Sequence, residues 1–114
     1  MITLNLIVTD KEKIDHVVNS ILRNQFALNV IVGDAMDSYH LSSSGEKILS
    51  VVYTIQFVTK SLLFNQIERS LKKEFEGMDF YIYAAPAVHI NTDYYEKIKI
   101  GVVGLNLIEE QAEH

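Results

Sequence analysis

From Ile2 to Val8 the chain alternates, with Ile2, Leu4, Leu6 and Val8 on one side and Thr3, Asn5 and Ile7 on the other. A period of two puts one set on a buried face, so this segment predicts a first strand. The period then lengthens. Ile14, Val17, Val18, Ile21 and Leu22 mark one face of a helix over residues 11–25, and Thr9 followed by Glu12 has the spacing of a capping box at its start. Residues 28–32 are apolar and largely β-branched, and Gly33 predicts a bulge in an extended segment that runs on to Leu41. After a turn at Ser42-Ser43-Ser44-Gly45, the return strand over residues 48–58 sets Leu49, Val51, Tyr53, Ile55 and Phe57 on one face. Ile48, Ser50, Val52, Thr54, Gln56 and Val58 occupy the other. The two segments form a long hairpin.

A second helix is predicted from a cap at Thr59 or Ser61 to about Phe75, with Leu63, Ile67 and Leu71 on its inner face and Gly77 as its stop. Phe80 to Tyr83 suits a fourth strand, which Pro86 ends or confines to a sheet edge. Asn91 or Thr92 can cap a short helix over residues 92–99. The apolar run 100–108 is predicted as a further strand, and the polar tail 109–114 as a frayed end. Strand, helix, strand, strand, helix, strand is the order of an α+β, ferredoxin-like sandwich with two helices on one face of an antiparallel sheet. One domain over residues 1–108 accounts for the chain.

Length differences within this sheet have a consequence. Residues 28–41 would span on the order of 40 Å at about 3.3 Å per residue, twice the reach of the first strand. The far end of the hairpin therefore overhangs, carrying Met36, Tyr39, Leu41, Ile48 and Leu49. Unpaired backbone and apolar side chains together predict pairing with a second copy, in a closed homo-oligomer.

Composition narrows the function classes. The 114 residues carry a formal net charge of −5 and no cysteine. The charge argues against nucleic acid and anionic membrane as partners, since both require a positive field. Without cysteine there is no disulfide, thiol nucleophile or thiolate metal site, which fits the cytoplasm. No apolar run approaches the roughly 18 residues of a membrane span, and the first ten residues read as a strand rather than a signal peptide.

No catalytic template is present: there is no Gly-x-Ser-x-Gly, no phosphate-binding loop and no dinucleotide fingerprint, and Gly101-Val102-Val103-Gly104 lacks the third glycine. Asp34, Asp37 and His40 are the one acidic and imidazole cluster. Asp37 and His40 are the candidate ligands for a divalent ion, against the alternative of turn-forming aspartates at a solvated hairpin. His89, in an apolar setting, and Tyr39 and Tyr81, among six tyrosines, are the candidate ligand-binding residues; the competing reading is ordinary packing or a subunit interface. Glu74, Glu76 and the pair Glu109-Glu110 read as solvated carboxylates with unshifted pKa values.

Taken together, the short first strand ending in Thr9-Asp10, the hairpin with Ser38-Tyr39 ahead of a glycine turn, and Asn91-Thr92-Asp93-Tyr94-Tyr95-Glu96-Lys97-Ile98 resemble the CutA divalent-cation-tolerance family, a branch of the superfamily that includes the PII signalling proteins. The hairpin has Ser38-Tyr39-His40-Leu41 where that family carries a tryptophan, and Glu76 to Tyr83 contains neither histidine nor proline where the family has His-Pro-Tyr-Glu-x-Pro. The resemblance thus implies the fold and assembly as a trimer through the hairpin more than it implies the copper site. It leads to a small oligomeric ligand- or ion-binding regulatory protein. The alternative class is a dimeric α/β-barrel enzyme, haem-handling or cofactor-independent, in which His89 and Tyr53 would face a cleft.

Overall fold

The computed structural model describes residues 1–104. The alternation at the start of the chain becomes β1 (Ile2–Val8), which sits inside the sheet because both of its edges are taken. On one side it pairs antiparallel with β4 (Lys47–Thr59), Leu4 opposite Phe57 and Leu6 opposite Ile55. On the other it pairs antiparallel with β5 (Phe80–Pro86), Leu4 opposite Ala84 and Leu6 opposite Ile82. Directly opposed residues share a face, so Leu4, Leu6, Val8, Ile55 and Phe57 form one buried layer.

Two helices cover that layer. α1 (Ile14–Arg23) buries Val17 and Ile21, and α2 (Phe64–Glu74) buries Ile67 and Leu71, as their spacing predicts. Each such side chain contributes about 1.5–3 kcal/mol when fully withdrawn from water. Strand order β5-β1-β4-β2, with β2 (Ile31–Val32), is the ferredoxin-like arrangement expected.

Helix starts differ from the predicted caps. Asp10, not Thr9, accepts the Glu12 N–H at 3.1 Å and opens a 3-10 turn over Lys11–Lys13 that leads into α1. The side chain of Thr59 is wholly buried and donates to the Phe26 carbonyl at 2.7 Å, tying the end of β4 to the segment after α1 rather than capping α2. Ser61 lies in the 3-10 turn Ser61–Leu63 that precedes α2, and the residue before that turn, Lys60, makes no side-chain cap. Asn91 does cap α3 (Thr92–Gly101), accepting from Tyr94 N at 2.7 Å. The strand predicted from residue 100 is corrected: Ile100 and Gly101 close α3, and residues 102–104 are not in a strand. Residues 105–108 of that segment, and the tail 109–114, lie outside the described residues.

The long extended segment is broken where a bulge was expected. Between the pairs Val32–Ile55 and Met36–Val52, the outer strand advances four residues and β4 only three. One extra residue is inserted between β2 and β3 (Met36–Leu41), and the alternation reverses across it. Gly33 fits closely at this point. Its N–H donates to Thr54 O at 2.9 Å, and a Cβ there would stand 2.5 Å from Thr54 Oγ1.

One carboxylate departs from the solvated reading. Glu74, at the end of α2, accepts hydrogen bonds from Ser20 Oγ and from Arg23 Nη2 at 2.6 Å, bracing α2 against α1. The Ser20 hydroxyl, with the Arg23 charge assisting, holds its pKa below the ordinary 4.5 despite the opposing cost of desolvation.

Ile67 is fully buried at the centre of the α2 face. Ile67→Ala should lower unfolding free energy by about 2–5 kcal/mol, as core truncations do. Urea denaturation measures this, and a loss under about 0.5 kcal/mol, the level of surface changes, would contradict the assignment of that face.

Candidate functional site

β4 is thirteen residues long and β1 seven. β1 pairs only with residues 53–59 of β4, so residues 47–52 are paired on the β3 side alone and the β3–β4 hairpin projects past the sheet. The radius of gyration is 15.4 Å, against roughly 13 Å expected for a compact chain of this length, and the long axis measures 46 Å. Apolar side chains line the projection: Tyr39 is 60% exposed, Leu41 74% and Leu49 54%. On the sheet face opposite α1 and α2, Ile31, Tyr81 and Tyr83 are exposed as well.

A cleft of about 380 Å³ forms where this projection leaves the sheet. Ile7 and Thr9 come from the end of β1, Ser38 and His40 from β3, Ser50 and Val52 from β4, and Asp79, Phe80 and Tyr81 from the start of β5. Alternation explains the selection: Ser38 faces Ser50 and Ile7 faces Tyr81 across the strands, which puts all four on the open face. The wall combines an imidazole, a phenol, three aliphatic hydroxyls and one carboxylate, with no lysine or arginine among the lining residues. Such a wall offers acceptors and a negative charge, and suits a small hydroxylated or cationic ligand better than an anion.

Of the sequence-predicted site residues, His40 and Tyr81 meet in this cleft. Asp37 and Tyr39 do not join them, because on a strand they alternate with His40 to the other face. Within one chain the strand thus sets Asp37 and His40 on opposite faces. Asp34 falls in the bulge and is exposed. Among the described residues no group of three or more His, Cys, Asp or Glu could hold a metal ion. Tyr39 instead lies under Lys47 Nζ, 5.4 Å from the ring centre. His89 is exposed between β5 and α3, whereas Tyr53 packs against the core on the helix side of β4, so the pair named for the barrel-type enzyme is not assembled.

Thr9, Ser38, Ser50 and Asp79 were not singled out from the sequence. The two serines could have been: they sit at matching polar positions of the hairpin's two arms. Asp79 and Thr9 join the site only through the pairing of β5 with β1.

No protein-family model matches the chain, and no curated protein matches it in sequence. Solved structures do match in fold. CutA1 from Oryza sativa superposes with a TM-score of 0.81 at 19% identity, covering 91% of this chain and 94% of that one. The periplasmic divalent cation tolerance protein CutA from Archaeoglobus fulgidus gives 0.76 at 15% identity over 87% of this chain and 96% of its own. CutA from Synechococcus elongatus PCC7942, in complex with a Bis-Tris molecule, gives 0.76 at 9% identity over 89% and 92%. At these identities the likeness is one of fold: the chain has the CutA fold, in agreement with the resemblance read from its motifs.

If His40 is the metal-contacting side chain and Asp37 is not, calorimetry with zinc or copper at neutral pH should show micromolar or weaker binding that His40→Ala abolishes and Asp37→Ala leaves intact. Equal losses in both variants would mean that the two side chains do meet on one ion.

Proposed function

We propose that this chain is a small homo-oligomeric protein that binds a ligand or ion in the cleft at the root of the hairpin and acts by binding rather than by catalysis. The overhang carries this reading. Residues 47–52 leave one strand edge unpaired, and Met36, Tyr39, Leu41, Ile48, Leu49 and Val51 are exposed on the hairpin. A soluble chain covers such an edge, and a second copy of the same hairpin region is the partner always available.

The resemblance to CutA proteins favours three subunits, with the cleft of each closed by its neighbour. In that assembly His40 and Tyr81 contact the ligand, Tyr39 and His89 lie on surfaces a neighbouring subunit can reach, and Asp79 supplies the charge that selects a hydroxylated amine or a cation. Any metal would draw its remaining ligands from the adjoining subunit or from water, with His40 as the imidazole donor. Among the described residues no helix is long and apolar enough to cross a membrane. The cysteine-free composition favours the cytoplasm, although the Archaeoglobus fulgidus relative is described as periplasmic.

Light scattering coupled to size exclusion should return three times the chain mass at micromolar concentration. Bis-Tris, the molecule held by the Synechococcus elongatus protein, serves as the ligand probe: amide shifts on titration should cluster at residues 38–40, 50–52 and 79–81 and vanish in His40→Ala. A single-chain mass would overturn the assembly. Shifts scattered elsewhere would overturn the site.

A further inference from the structure

Sharing no lining residue with the cleft just described, a second groove of about 420 Å³ lies between the turn that precedes α2 and α3. Its accessible apolar surface comes from Met1, Leu62 and Tyr95, with the buried Leu63 beneath, and its charge from Lys60 and Lys99. Tyr95 and Lys99 are four residues apart on α3, hence on one face. Leu62 is 76% exposed and Tyr95 43%, so the apolar surface is open.

The charge is unusual for this chain. Acidic residues outnumber basic ones by 15 to 10, yet among the described residues no carboxylate lines the groove. Arg23 pairs with Glu74 and Lys72 with Glu68, and neither pair involves Lys60 or Lys99. Lys60 is half-buried and donates to the Val102 carbonyl at 2.8 Å. That contact fixes the position of its ammonium and leaves two of its three N–H donors open. A positioned cation, a second cation and an apolar wall within one groove match an anion that carries an apolar body.

We propose that this groove binds an amphipathic carboxylate, its alkyl chain on Leu62, Met1 and Tyr95 and its carboxylate between Lys60 and Lys99. The site is independent of the cleft at the hairpin and opposite to it in polarity, so the two can be occupied separately.

The test is a titration of the isotope-labelled full chain with sodium decanoate, followed by amide and side-chain shifts. Saturable shifts are expected at residues 60–63, 95 and 99, with residues 38–40 and 79–81 unmoved. Decanol, which has the same chain without the charge, should bind roughly tenfold more weakly, the scale of a charge-assisted contact. Lys99 is exposed, so Lys99→Gln should keep the fold and weaken decanoate about fivefold, the upper range for an exposed charge pair. Equal binding of decanol and decanoate, shifts that map to the open sheet face, or no shifts at all would each overturn the proposal. So would contacts in the free full-length protein that place its own residues 105–114 in the groove.

Discussion

The backbone pairing of β4 is the constraint from which the rest of the molecule follows. Seven of its residues are opposed by β1, and the six before them are not. The paired half builds an ordinary two-layer domain, in which Ile55 and Phe57 meet Leu4 and Leu6 beneath α1 and α2. The unpaired half adds nothing to that core, since Ile48, Leu49 and Val51 remain exposed. A two-stranded hairpin standing alone is marginal in water. The edge that this hairpin leaves open is what the proposed assembly covers, and the cleft at its root lies where the pairing with β1 stops.

The bulge between β2 and β3 is the second determinant. Without it the hairpin arm would keep the register of Ile31 and Val32, and Ser38 and His40 would turn to the helix side. The inserted residue, beside a glycine that no side chain could replace without meeting Thr54, brings them onto the open face beside Tyr81. A local backbone irregularity thus sets the composition of the site.

Much of the fold was legible because its signals are local. The alternation in β1, the helical spacing of Val17 and Ile21 or Ile67 and Leu71, the Asn91 cap and the glycine-marked bulge each occupy a few consecutive residues. The same locality misled where two neighbours compete, as with Asp10 over Thr9 at the first helix, where the strand ends at Val8 and the residue adjoining the turn takes the cap. It also missed contacts made across the chain. Glu74 looked solvated, yet its partner Ser20 lies 54 residues away. The site was half legible for the same reason: His40 and Tyr81 stood out by residue type, but only strand pairing shows that Asp79 and Ser50 join them and that Asp37 points elsewhere.

The central claim is that another copy of the chain covers the hairpin, and amide hydrogen exchange addresses it directly. A covered hairpin should protect residues 36–41 and 47–52 to a degree comparable with β1, since their opening would then require the assembly to come apart. Fast exchange across those residues at micromolar chain concentration, with β1 still protected, would contradict it.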